Sequence, residues 1–219
     1  MTMNNDGLAG RRALLTLVGA TFLAAAVPWA PRAQAGDTRA AAAPVAQLDS
    51  ALLAAMRAGS RGAGFSARYA ALQPVIERVF DLERVLAASV GFSWPALSGR
   101  QKKALMTAFR RYTVATYVAN FESYNGQSFE IMPGVREVGN GEMVVLTKLI
   151  RRDRSPVVLA YVMRQGPAGW KVVDVLTDGS ISRVAVQRSD FHELLASGGA
   201  PALAAALARK ATNLAAGVA

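Results

Sequence analysis

The chain has no cysteine and a single histidine, and its longest apolar run, Ala13 to Val27, is fifteen residues. The first absence excludes disulfides, thiolate metal sites and thiol nucleophiles, and leaves the redox compartment open. The second leaves too few ligands for a metal site, because one imidazole and scattered acids do not make a coordination shell. That residue, His192, sits beside Asp190 and Glu193, but helix neighbours one or two residues apart do not face each other. It reads as a surface side chain at a helix start. There is no glycine-rich phosphate loop, nucleophile elbow or His-Glu metal spacing either. The expectation is no cofactor, no metal and no catalysis.

Acids are also scarce relative to bases. Lys and Arg number 25 against 15 Asp and Glu, a formal net charge of +10. Nucleic acid is a poor partner, since no stacking aromatics interleave with the basic residues. Fifteen apolar residues at about 1.5 Å each fall short of a roughly 30 Å hydrocarbon core. Arg11 and Arg12, that short run, and Ala33-Gln34-Ala35 together describe a cleavable export signal, with the cut after Ala35. The chain is thus expected outside the cytoplasm, with segments 1–35 (signal), 36–65 (a flexible leader rich in Ala and Gly, with a short helix around Val45 to Arg57), 66–210 (one domain) and 211–219 (a tail).

Within the domain, "DLERVLAASVG" reads as a short helix with Asp81 as N-cap and Gly91 past its end. In "SGRQKKALMTAFRRYTVATYVANFESYNG", Ser98 and Gln101 have capping-box spacing. From Thr113 to Phe121 this helix has no charge on any face, so it is expected to be buried all round. After Gly126 the period becomes strand-like, with Asn140-Gly141 as a hairpin turn and "RRDRSP" and "QGPAG" as the next two. Helices, an antiparallel meander, then helices again make an α+β fold. "MVVL" and "VVLAYVM" barely alternate, so both sheet faces need cover. Either a second helical layer supplies it, or the sheet curls into a cone around an apolar interior, as a lipid carrier would require.

One acid interrupts the apolar strand "WKVVDVL". Alternation puts Trp170, Val172, Asp174 and Leu176 on one face. A carboxylate there needs hydrogen bonds or a charge partner, and Arg183 or Arg188 could supply one. Asp174 is then a strand-to-helix staple, or else a general base or head-group contact. Arg110 and Arg111 on a helix, and Arg151, Arg152 and Arg154 at a hairpin tip, are either solvated surface or docking sites for an anionic membrane or acidic partner.

"FDLERVLAASVG", "ALMTAFRRYTVATYVANFESYNGQSF", "PVVLAYVMRQGPAGWKVVDVLTDGSISRVAVQRSDF" and the terminal Leu-rich helix, roughly Ser66 to Lys210, resemble the MlaC/toluene-tolerance family of periplasmic lipid-binding proteins. "YVANFESYNGQ" and "DGSISRVAVQRSDF" look closest to its hopanoid-associated HpnM branch. The resemblance implies a twisted antiparallel sheet of about four to five strands curled into a cone, packed with N- and C-terminal helices around an apolar cavity. It implies a monomeric carrier moving phospholipid or hopanoid between an inner-membrane ABC transporter complex and an outer-membrane lipoprotein and porin complex. Asp174, Gly179, Arg188 and Phe191 match the family pattern and are expected to be architectural. Candidate cavity residues are Val79, Leu82 and Leu86; Phe109, Tyr112, Tyr117 and Phe121; and Leu159, Tyr161, Trp170, Val172 and Val175. Two other readings stay open: an enzyme in a similar cone using Asp174 as base, and a membrane-complex scaffold with an empty pocket.

Overall fold

A computed structural model describes residues 32–152 and 154–218. The expected signal segment lies outside the described residues except for its last four, which open the first helix. Four helices come first: α1 (Arg32–Ser60), α2 (Phe65–Val79), α3 (Leu82–Val90) and α4 (Gly99–Asn120). Strands β1 (Ser128–Ile131), β2 (Arg136–Gly139), β3 (Glu142–Arg151), β4 (Arg154–Gly166), β5 (Gly169–Thr177) and β6 (Ile181–Ser182) follow, and α5 (Arg183–Ala215) closes the chain.

Local chemistry sets these boundaries. The Asp81 carboxylate accepts the Arg84 amide at 3.0 Å and starts α3, and Gly91, at φ 68°, ends it in a backbone region that side chains resist. Ser98 and Gln101 form a reciprocal capping box at the start of α4. Asn140 and Gly141 take φ of 53° and 70°, the paired left-handed geometry of a tight hairpin between β2 and β3. Helix α5 is broken at Gly199 (φ 65°, ψ −163°), just before Pro201.

All strand pairs are antiparallel, in the order β1-β3-β4-β5-β6, with β2 also on β3. β1 and β2 share one edge of β3, opposite residues 147–150 and 142–144. This sheet has six strands and is open, which corrects the expected cone. Closure requires the two edge strands to pair. Here β1 and β2 end one side, and the two-residue β6 and a single parallel bridge from Phe80 to Val172 end the other. The apolar run on both faces has a simpler outcome. Register places Val145, Tyr161, Met163 and Val172 on one face, where they join the helical core, whereas Val144 and Ala160 on the opposite face are buried outside that core.

In the segment 36–65 the helix expected around Val45 to Arg57 is present, but it runs from Arg32 to Ser60, and the flexible leader expected around it needs correction. Most of the segment is α1, in which Ala41, Val45, Leu48 and Leu52 recur at helical spacing and are fully buried. Alanine is the best helix former, and the glycines that suggested looseness cluster only at the C-terminal end, from Gly59 to Gly64. α1 lies against β1, β3, β4 and β5, so it supplies a wall of the core. The tail beginning at 211 is corrected too: α5 continues to Ala215, and Ala211 is buried.

Candidate functional site

The uncharged half of α4 is buried on one side only, and the expectation of burial all round needs correction: Thr113, Thr116, Tyr117 and Phe121 are half-buried and Asn120 is exposed. Val114, Ala115 and Val118 are buried, and Arg68 of α2 donates to the Val118 carbonyl at 2.9 Å and to the Ala63 carbonyl at 3.2 Å. Arg68 is itself buried, so these carbonyls, one of them at the negative end of the α4 dipole, stand in for a carboxylate partner. Along one side of α4 runs an aromatic series: Phe80 against Tyr117, Tyr117 stacked on Phe121, and Phe121 against Phe129 of β1, with ring centroids 5.6 to 6.1 Å apart.

That side faces a cavity of about 320 Å³ between the sheet and α3, α4 and α5, at the lower end of the ~300–1,000 Å³ usual for ligand pockets. Its floor is apolar and buried, with Phe109, Tyr161, Leu82 and Val85. Its rim is exposed and polar: Asn120 at the end of α4, Thr177 at the end of β5 and Arg183 at the start of α5.

Of the cavity candidates, Leu82 comes from α3, Phe109, Tyr112 and Tyr117 from α4 with Phe121 just past its end, Leu159 and Tyr161 from β4 and Val175 from β5, and all eight line this space. Val79, Leu86 and Val172 do not; they are buried in the packed core, and Trp170 is a half-buried side chain against it. The split has a cause in β5. The β4–β5 register shifts between Val162 and Met163, so Val172 and Val173 are both buried and strict alternation fails there. Phe80, Leu149, Thr113, Thr177 and Arg183 line the cavity without having been singled out. Thr177 follows from alternation with Val175, and Leu149 from the β1–β3 register; nothing local in the sequence points Arg183 inward.

Asp174 ties β5 to α5 without an arginine. Its Oδ1 accepts the amides of Val175 (2.8 Å) and Val184 (3.1 Å), and its Oδ2 accepts the Ser182 hydroxyl. Ser182 Oγ in turn accepts the Ala185 amide. Among the described residues no ion pair joins Asp174 to Arg183 or Arg188. Arg188 instead donates from Nε to the Ala88 carbonyl at 2.9 Å, in the last turn of α3. Phe191 packs edge-on against Phe109 at 6.3 Å, and Asp178 and Gly179 form the left-handed turn into β6. With both oxygens engaged, Asp174 is poorly placed to act as a base.

The basic candidates fall in two places. On α4, Arg110 pairs with Glu77 of α2 and Arg111 donates to Thr212 of α5. At the β3–β4 hairpin, Arg151 donates to the Ser155 carbonyl and Arg152 lies alongside Gly126 in the loop after α4. The hairpin therefore stands beside the cavity rim. His192 is exposed, on a shallow outer groove with Asp174, Arg188 and Glu193.

Behind the cavity wall lies an acid that sequence reasoning missed. Asp49 of α1 is buried, both carboxyl oxygens lack a hydrogen-bond partner, and desolvation pushes its pKa to about 7. Its charge raises the pKa of the Tyr117 and Tyr161 phenols, which burial already raises further. Among the described residues there is no group of three or more His, Asp or Glu that could hold a metal, and no helix is long and apolar enough to cross a membrane.

No curated protein matches the chain. A phospholipid-binding protein from Ralstonia solanacearum, solved in complex with a phospholipid, has the same fold, with a TM-score of 0.69 at 21% identity over 80% of this chain and 98% of that one. The family model described as MlaC protein matches residues 46–209, and the chain belongs to that family.

Proposed function

We propose that this chain is a periplasmic lipid carrier that holds a lipid tail in the cavity between its sheet and helices, without chemical change. The observation that carries the reading is the cavity's polarity gradient: a buried aromatic and aliphatic floor under a polar, exposed rim. An amphiphile has the complementary gradient. Each CH₂ moved from water into such a floor is worth about 0.8 kcal/mol, so a 16-carbon tail gains roughly 13 kcal/mol gross. Membership of the MlaC family and the phospholipid held by the Ralstonia protein support the same cargo class. Phospholipid is the first candidate cargo, and hopanoid the second, from the resemblance of the two α4 and α5 segments to the HpnM branch. In this reading the mature chain begins after Ala35 and acts as a monomer. It receives and delivers lipid between an inner-membrane ABC transporter complex and an outer-membrane lipoprotein and porin complex, with Arg151, Arg152 and Arg154 beside the rim as the docking patch. Arg110 and Arg111, roughly 14 to 15 Å along α4 from Asn120 at that rim, form a second candidate surface.

Native mass spectrometry with solvent extraction, on mature protein purified gently, tests the reading. Stoichiometric lipid is expected, and its mass names the cargo. Tyr117→Lys and Phe121→Lys are each expected to lose most of the bound lipid while the fold, followed by circular dichroism, persists. Protein that is reproducibly empty, or variants that keep full lipid, would refute the tail site.

A further inference from the structure

Only two cavity-lining side chains carry a formal charge, Asp174 and Arg183, and they are not paired with each other. Asp174 already accepts three hydrogen bonds, from the Val175 amide in β5 and from Ser182 and Val184 at the start of α5. Arg183 has no such partner. Among the described residues no carboxylate lies within ion-pair distance of its guanidinium. It is the first residue of α5, exposed, and on the rim rather than the floor. A cation in the first turn of a helix sits at the unfavourable end of the helix dipole, so its position there is locally costly unless an anion joins it. Val184 and Gln187, next to it and one turn along, also line the cavity, so this side of α5 faces the ligand space. Its charge also lowers the phenol pKa of Tyr117, a cavity residue, against the larger effect of burial.

We propose that Arg183 is the headgroup contact of this cavity, and that it makes the site select lipids with an anionic headgroup over uncharged lipids with the same tails. This rests on the carrier reading and adds charge selectivity to it. With the tail on the floor near Phe109 and Tyr161, the headgroup emerges at the rim, within reach of the one unpaired lining charge. Guanidinium suits phosphate and carboxylate because its planar donors can meet two oxygens at once.

The test offers delipidated mature protein an equimolar mixture of phosphatidic acid and diacylglycerol with identical acyl chains, in detergent, and reads the bound ratio by native mass spectrometry. Comparing variants cancels any difference in how the two lipids partition into detergent. Arg183→Gln is expected to lower the ratio of phosphatidic acid to diacylglycerol about tenfold, equivalent to about 1.4 kcal/mol, while diacylglycerol stays bound. Arg183→Lys keeps the charge and most of the preference. Arg136→Gln removes the same charge from exposed β2 and leaves the ratio unchanged. An unchanged ratio in Arg183→Gln overturns the assignment, as does an equal fall in Arg136→Gln, which would make the preference a property of net charge. Wild-type protein that binds both lipids equally also overturns it but leaves the carrier reading standing; wild-type protein that binds neither overturns both.

Discussion

Asp49 is the residue whose chemistry fits its surroundings least. A carboxylate without a hydrogen-bond partner in an apolar wall stays neutral until the pH reaches its raised pKa of about 7. In the unfolded chain it ionises near 3.8. Between those values the folded state holds a proton that the unfolded state has released, so stability is greatest below about pH 4 and falls as the pH rises through 7. The full difference corresponds to roughly 4 kcal/mol, at about 1.4 kcal/mol for each power of ten in proton affinity. Asp49→Asn removes the titration and keeps the shape. Its melting temperature is expected to pull ahead of wild type as pH rises from 5 to 8, with little difference near pH 4. A gap that stays constant across that range would mean that Asp49 is already ionised in the fold at pH 5 and that burial does not raise its pKa. Arg68 is the opposite case at the same scale: a buried cation made tolerable by two backbone carbonyls.

At the scale of elements, α1 shows what a sequence conceals. Its end docks on the loop after α4: Ser60 Oγ accepts the Tyr124 amide at 2.7 Å, and Arg57 lies over the Tyr124 ring at 4.9 Å. A Cβ added to Gly59 would stand 2.0 Å from the Glu122 carbonyl oxygen. Gly59→Ala must therefore push backbone apart and is expected to cost about 1–3 kcal/mol. Gly99→Ala, in open space at the start of α4, is expected to be neutral or to stabilise by up to about 1 kcal/mol. Urea midpoints for the two variants should move in opposite directions, or only the first should move; an unmoved midpoint in Gly59→Ala would refute the close approach there, and a fall in Gly99→Ala would refute the open space at the start of α4. α4 was legible because its signals are local: a Ser98–Gln101 box, a charged first half and an uncharged second. The hairpin at Asn140-Gly141 was legible for the same reason. α1 was legible only as a short helix around Val45 to Arg57, because the packing of Val45, Leu48 and Leu52 depends on a sheet that begins more than seventy residues later. Curvature of the sheet failed as an expectation because two-faced strands say that cover is needed, not whether edges meet. Eight cavity positions could be read from apolar spacing on α3, α4, β4 and β5. Arg183 could not, since its orientation depends on Asp174 and Ser182 fixing the first turn of α5.

At the scale of the whole molecule, the open sheet and the helices packed against it leave a space between them. The space left here is walled by α3, α4 and α5 and floored by side chains that also belong to the core, among them Phe109, Tyr161 and Leu82. A lipid tail held in that space, as proposed, would be a core element supplied from outside and would bind the folded state alone. Linkage then ties stability to occupancy: ligand at a hundred times its dissociation constant adds about 2.7 kcal/mol. For a domain of 150–250 residues each kcal/mol moves the midpoint by about 2–4 °C. Stripping the lipid should thus lower the melting temperature by roughly 5–10 °C, and adding phospholipid back should restore it in a concentration-dependent way. The far-ultraviolet spectrum should change little, since the floor residues remain packed in the core on their other sides. Coincident melts for stripped and loaded protein would mean that the tail rests elsewhere, and the space beside Tyr117 would then be a packing defect and not the site of cargo.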